Sequence, residues 1–113
     1  MLPTAKFFSC ISDPVRLASM LLLQTEGELC VCELVCALDE SQSKVSRHLA
    51  QLRHCALLHD RRQGQWVYYS LNPDLPDWTL PTLDLAAEAE AGMLEIMRNR
   101  LHLMTNRPER IAC

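Results

Sequence analysis

Three observations in the sequence predict a mainly α domain with one small β-hairpin, an α+β class. Apolar residues recur at helical spacing over most of the chain. Between residues 58 and 71 the period shortens to that of strands, around Gly64. Just before that change lie two short helical stretches joined by a tight polar turn, and the second stretch is basic. In that order these elements describe a winged helix-turn-helix. The length of 113 residues suits one domain. The expected layout is a single DNA-binding domain over 1–106 with a C-terminal dimerisation helix at about 82–104, then a flexible tail over 107–113.

The elements follow from local chemistry. Thr4 to Ile11 reads as a short apolar helix. Ser12 or Asp13 can cap a second helix, with Pro14 in the first turn, where no N–H is needed. Val15, Leu17, Ala18, Leu21 and Leu22 follow at helical spacing until Gly27. A third helix is expected from Leu29–Val31 to about Leu38, then the turn Asp39-Glu40-Ser41. The fourth, about 42–56, carries its apolar stripe on Val45, Leu49, Leu52 and Ala56. Leu58–Arg62 and Trp66–Leu71 form the hairpin arms around Gln63-Gly64-Gln65. Pro73, Pro76 and Pro81 mark a loop. On the last helix Leu83, Ala86, Ala87, Glu90, Met93, Leu94 and Met97 lie mostly on one face, which Leu101 and Met104 continue. With the first helix it has more apolar surface than a small core covers, so a homodimer through the terminal helices is expected.

Composition narrows the function. An apolar fraction of 49% with 22% charged residues excludes disordered and low-complexity classes. No apolar run approaches the ~20 residues of a membrane span, and the start lacks a basic flank before an apolar run, so a cytoplasmic protein with no membrane partner is expected. The net charge of −3 is an average: residues 41–66 carry five basic side chains against one acid, a local +4, and the remainder carries −7. That basic stretch suits double-stranded DNA. Gln42, Ser43, Lys44, Ser46, Arg47 and His48 on the second helix have the chemistry to read bases and phosphates, and Arg61, Arg62 and Gln63 near the wing tip to meet phosphates. A plain helical bundle showing a solvated polar face is the alternative.

Six cysteines are many for this length. In a reducing compartment disulfides are not expected, and Cys10 and Cys55 read as small packing residues, with Cys113 at the end of the chain. Cys30, Cys32 and Cys36 crowd at the start of the third helix, where the helix dipole favours thiolates. Thiolates select soft ions. Cys32 and Cys36 share a helix face, while Cys30 and Cys32 would lie ~200° apart around a regular helix. All three reach one ion only if the first turn unwinds or was never helical. A bound ion would then deform the DNA-reading unit, and by linkage ion and DNA would weaken each other. Nothing suggests an enzyme: there is no C-x-x-C and no Cys-His-Asn arrangement.

The run Glu28-Leu29-Cys30-Val31-Cys32-Glu33-Leu34, followed by Gln42-Ser43-Lys44-Val45-Ser46-Arg47-His48-Leu49, resembles the ArsR/SmtB metalloregulators. Ser12-Asp13-Pro14-Val15-Arg16-Leu17 and the wing Asp60–Tyr69 are similar too, so the likeness spans roughly residues 5–105. The resemblance implies a cytoplasmic homodimeric repressor of an arsenic resistance operon. It would leave its operator when As(III) or Sb(III) binds three thiolates, here Cys30, Cys32 and Cys36, with no organic cofactor. One departure is plain: the third cysteine follows the pair by four positions rather than the usual three. The zinc-sensor site on the last helix is missing its histidine at Asp84-Leu85-Ala86. A cadmium/lead-responsive repressor is the alternative, with Cys10 its only N-terminal cysteine, as is a thiol-redox-responsive one.

Overall fold

The computed structural model describes residues 2–108. Its elements are α1 (Thr4–Ile11), α2 (Pro14–Glu26), β1 (Glu28–Cys30), α3 (Val31–Leu38), α4 (Gln42–His54), β2 (Leu58–Gln63), β3 (Trp66–Leu71), α5 (Thr79–Ala89) and α6 (Ala91–Leu103). The architecture is the α+β winged helix that the sequence predicts. α2 is started by Asp13, whose carboxylate accepts the N–H groups of Val15 and Arg16 at 2.8 and 3.1 Å, with Pro14 next in the chain. α3 ends where Asp39 takes the left-handed conformation (φ 54°), and Ser41 opens α4 by accepting the Lys44 N–H at 3.2 Å. The core between them is made of fully buried Leu21, Leu22, Leu23, Leu29, Leu34, Leu49, Leu52 and Leu57, with Phe7 from α1. Each such side chain contributes about 1.5–3 kcal/mol by leaving water.

The sheet is wider than the predicted hairpin. Its order is β1-β3-β2, all antiparallel, with Cys30 opposite Tyr68 and Glu28 opposite Ser70. The third helix begins at Val31, the late end of its expected start: Glu28–Cys30 is a strand, and Cys30 is extended (φ −85°, ψ 168°) just before the first helical turn. The wing turns at Gly64, with φ 62°. α4 stops at His54 rather than 56, because Ala56 adopts φ 62°, and its carbonyl is held by the Asn72 side chain at 2.9 Å.

The expected long C-terminal helix is two helices, interrupted at Glu90 (φ −106°, ψ 25°). Leu83, Leu94, Met97 and Leu101 are buried within the chain itself. Leu80, Leu85, Ile96 and Leu103 remain exposed on α5 and α6, as does Phe8 on α1. Arg107, placed by the sequence in a flexible tail, donates Nε to the Glu33 carboxylate at 2.5 Å and so ties the chain after α6 to α3. The rest of that predicted tail, apart from Pro108, lies outside the described residues, as does Cys113.

A second correction concerns the cysteines. Cys10 on α1 and Cys55 at the end of α4 form a disulfide, with Cα atoms 6.6 Å apart and a sequence separation of 45. Packing of α1 against the end of α4 brings together two residues that local sequence cannot pair.

Candidate functional site

Two sites share one frame. The first is the junction of β1 and α3. The strand-to-helix change removes the ~200° separation that a continuous helix would impose, and the sulfurs of Cys30 and Cys32 stand 2.7 Å apart. Cys30 is buried and Cys32 half-buried. The thiol of Cys30 is pushed up to about 12, first by burial, then by the hydrogen bond with Cys32; the Glu33 N–H opposes this and the Glu33 and Cys32 charges add to it. Cys30 is thus a neutral thiol, not the dipole-stabilised thiolate the sequence suggests. Glu33, fully buried, accepts the Cys30 N–H at 2.9 Å and fixes the backbone at the junction.

A cleft of about 310 Å³ opens here, walled by Cys30, Val31, Cys32, Gln42, Gln65, Trp66 and Val67. One wall is thus the first residue of α4 and another is the wing. Cys36 is not in it. Its sulfur lies 3.8 Å from the Arg100 carbonyl of α6. No cluster of three or more potential metal ligands exists among the described residues. The structure therefore brings together two of the three predicted ligands. Cys10, the expected N-terminal partner for cadmium or lead, is committed to Cys55.

The second site is the face of α4. Gln42, Ser43 and Arg47 are exposed, and Lys44 and Ser46 partly so. Lys44 meets Glu40 at 3.2 Å in an exposed ion pair that is easily given up. His48 is different. It is 7% exposed and its Nδ1 lies 3.1 Å from both the Arg16 guanidinium and the Gln51 amide oxygen. Arg16 also donates to the Cys10 carbonyl at 2.7 Å and to Gln51 at 3.0 Å. His48 thus belongs to a polar bracket that sets α4 against α1 and α2, not to the exposed face. Asp13, 3.8 Å from His48, joins it. Burial raises the Asp13 carboxyl, but the Arg16 and Val15 N–H groups with His48 and Arg16 hold it below the usual carboxylate value.

On the wing, Arg62 is exposed. Arg61 is engaged: its Nε and Nη2 donate to the two Glu28 oxygens at 2.6 and 2.7 Å, its Nη1 to Gln63 at 2.8 Å, and it lies over the Tyr68 ring at 4.6 Å. Gln63, whose amide oxygen takes that bond, is held with it. Arg61 thus braces β1 to the wing. Neither this brace nor the roles of Arg16, Glu33 and Arg107 are legible in the local sequence, since their partners lie far along the chain. For His48 a signal was present, since 45, 48, 49 and 52 form one i, i+3, i+4, i+7 stripe.

Comparison with known proteins adds the family. Residues 13–60 match the model described as bacterial regulatory protein, arsR family. The chain is 50% identical to the arsenic resistance transcriptional regulator ArsR2 of Pseudomonas putida, over 97% of this chain and 96% of that one. The chain belongs to the arsR family. It is also 48% identical to the arsenical resistance operon repressor of Escherichia coli, over 83% of this chain and 81% of that protein. Among solved structures, reduced HlyU from Vibrio cholerae superimposes with a TM-score of 0.67 at 29% identity, covering 75% of this chain and 85% of that one. Members of this family are transcriptional regulators, and the matched segment runs from the cap of α2 through α4 into β2, so it includes the cysteine pair and the α4 face but not the rest of the wing. No helix among the described residues is long and apolar enough to cross a membrane.

Proposed function

We propose that this protein is a metalloid-responsive repressor of an arsenic resistance operon, which binds double-stranded operator DNA as a homodimer in the cytoplasm and is released when As(III) or Sb(III) binds its thiols. The observation that supports this best is the Cys30–Cys32 sulfur pair, 2.7 Å apart in a cleft whose walls include Gln42 and the wing. Two adjacent thiols, with the Cys30 thiol held protonated, fit arsenous acid. Each As–S bond forms as a hydroxide leaves as water with the thiol proton, so charge is conserved without a free base. Cys36 is the third ligand of the proposal. Recruiting it detaches its sulfur from the Arg100 carbonyl and shifts α3 against α6. Because α3 also packs on α4, that shift moves the reader helix. DNA and metalloid then favour different arrangements of one junction, and each weakens the other.

On the DNA side, α4 would enter the major groove with Gln42, Ser43, Lys44, Ser46 and Arg47, and Arg62 would meet a phosphate. His48 and Arg61 act from behind, as positioning groups. Exposed Phe8, Leu80, Leu85, Ile96 and Leu103 on α1, α5 and α6 support a dimer through the terminal helices, which would present two reader helices to half-sites one turn apart.

The test is a fluorescence anisotropy titration of the operator complex with As(III), Sb(III), Cd(II) and Zn(II) in reductant. Release by As(III) and Sb(III), retained binding but no release for Cys30→Ser and Cys32→Ser, and a weakened response for Cys36→Ser are expected. Release of the Cys30→Ser complex at wild-type As(III) levels would overturn the ligand assignment.

A further inference from the structure

The Cys10–Cys55 disulfide lies at the edge of a second cleft, of about 460 Å³, that also presents Lys6, Arg16, Arg47 and His54. No carboxylate side chain lines it. Arg16 is already engaged with the Cys10 carbonyl, His48 and Gln51. Lys6 and Arg47 are exposed and make no ion pair among the described residues. A disulfide beside a recess of unpaired cations suits a small reactant that carries both a thiol and carboxylates. The two sulfurs are unequal: Cys10 is 5% exposed, whereas Cys55 at the end of α4 is partly open to the cleft. A protein that works on DNA sits in a reducing compartment, where disulfides are transient and exchange-active rather than structural staples.

We propose that Cys10–Cys55 is a thiol–disulfide exchange site for small carboxylate-bearing thiols. The reactant thiolate attacks Sγ of Cys55. A new sulfur–sulfur bond forms there, the Cys10–Cys55 bond breaks, and its electron pair leaves on Cys10, which takes a proton from water. A second molecule of the same thiol attacks the mixed disulfide and departs as the symmetrical small disulfide, leaving Cys55 reduced. Two thiols are oxidised and one protein disulfide is reduced. The reverse reaction, with the small disulfide as oxidant, closes the bond again. Exchange opens the covalent tie between α1 and the end of α4, and the intermediate places extra carboxylates beside Arg47. This second consequence and the reducing compartment rest on the reading of the protein as a DNA-binding regulator; the cleft, its unpaired cations and the unequal sulfurs do not.

The experiment uses the full-length protein, purified without reductant, with Cys30, Cys32, Cys36 and Cys113 changed to Ser. It is treated with reduced glutathione or with cysteamine, a cationic thiol, at equal thiolate concentration. Acid-quenched intact mass and peptide mapping follow the adducts. Expected are a disulfide at the start, a transient glutathione adduct mapped to Cys55, and exchange about tenfold faster with glutathione than with cysteamine at low salt. Lys6→Gln with Arg47→Gln, both exposed and distant from the core, should bring the two rates within about twofold, as should ~1 M salt. Free thiols at Cys10 and Cys55 in the untreated protein, equal rates for the two thiols, or an adduct on Cys10 instead would overturn the proposal. All readouts are masses, so failure to bind operator would count against the repressor reading alone.

Discussion

Glu33 is the most informative single residue to change. It is 0% exposed, accepts the Cys30 N–H at 2.9 Å and receives the Arg107 guanidinium at 2.5 Å. Glu33→Ala leaves a buried backbone donor without its acceptor, which costs about 1–3 kcal/mol. It also empties a fully buried site of several atoms, which adds roughly 1 kcal/mol. Arg107 is 31% exposed and can return to water, so the full ~3–5 kcal/mol of a broken buried pair does not apply. The expected loss is about 3 kcal/mol. With an unfolding entropy of roughly 2.1 cal/mol/K per residue, the 113-residue chain should melt about 12 °C lower. Glu33→Gln keeps an oxygen for the Cys30 N–H and loses only the charge, so a drop of about 4 °C is expected. The assay is thermal unfolding followed by circular dichroism at fixed protein concentration, since association shifts the midpoint. A Glu33→Ala protein that melts within about 2 °C of wild type would refute the reasoning, and so would a Gln variant that falls as far as Ala.

Other outcomes follow from the same geometry. Ala56 holds φ 62°, which costs an alanine roughly 1–2 kcal/mol; Ala56→Gly should raise stability by about 0.5–1 kcal/mol in denaturant titration after the flexibility cost of glycine, and a loss would show that the turn needs its methyl group. With the Cys30 thiol pushed up to about 12, a divalent cation must displace a proton that arsenous acid removes as water. Release by Cd(II) should therefore need roughly tenfold less metal per pH unit gained for each protonated ligand, while release by As(III) stays nearly level between about pH 6.5 and 8; equal slopes in anisotropy titrations would contradict this. Arg47→Ala, exposed on α4, should cost about 1–3 kcal/mol of operator binding by gel shift with the melting point unchanged. An unchanged affinity would take Arg47 off the interface.

The sequence made the helical order and the hairpin legible because their periods differ, and the cap at Asp13 and the turn at Ser41 because their chemistry is local. What it left hidden depended on distant partners. Glu28–Cys30 is too short to show alternation, and it becomes a strand only because Tyr68–Ser70 lies alongside. Ala89-Glu90-Ala91-Gly92 contains no proline to announce the break between α5 and α6, both of which pack on α2. The candidate site was half legible. The C-x-C pair could be read directly, but whether the third sulfur faces it depends on α6, whose carbonyl at Arg100 takes Cys36. Arg61 looked like a phosphate contact because its partner Glu28 lies 33 residues away.

The short strand β1 also divides labour between the two thiols. Cys30 is locked in sheet register opposite Tyr68 and is buried, so its sulfur is a fixed post. Cys32 stands on the first turn of a helix, where one side chain can be exchanged without disturbing a ladder. In the proposed site, ligand preference is easiest to retune, by evolution or by a biosensor engineer, at position 32 and around the cleft rim at Gln65, leaving the post and the proposed operator-reading face unaltered.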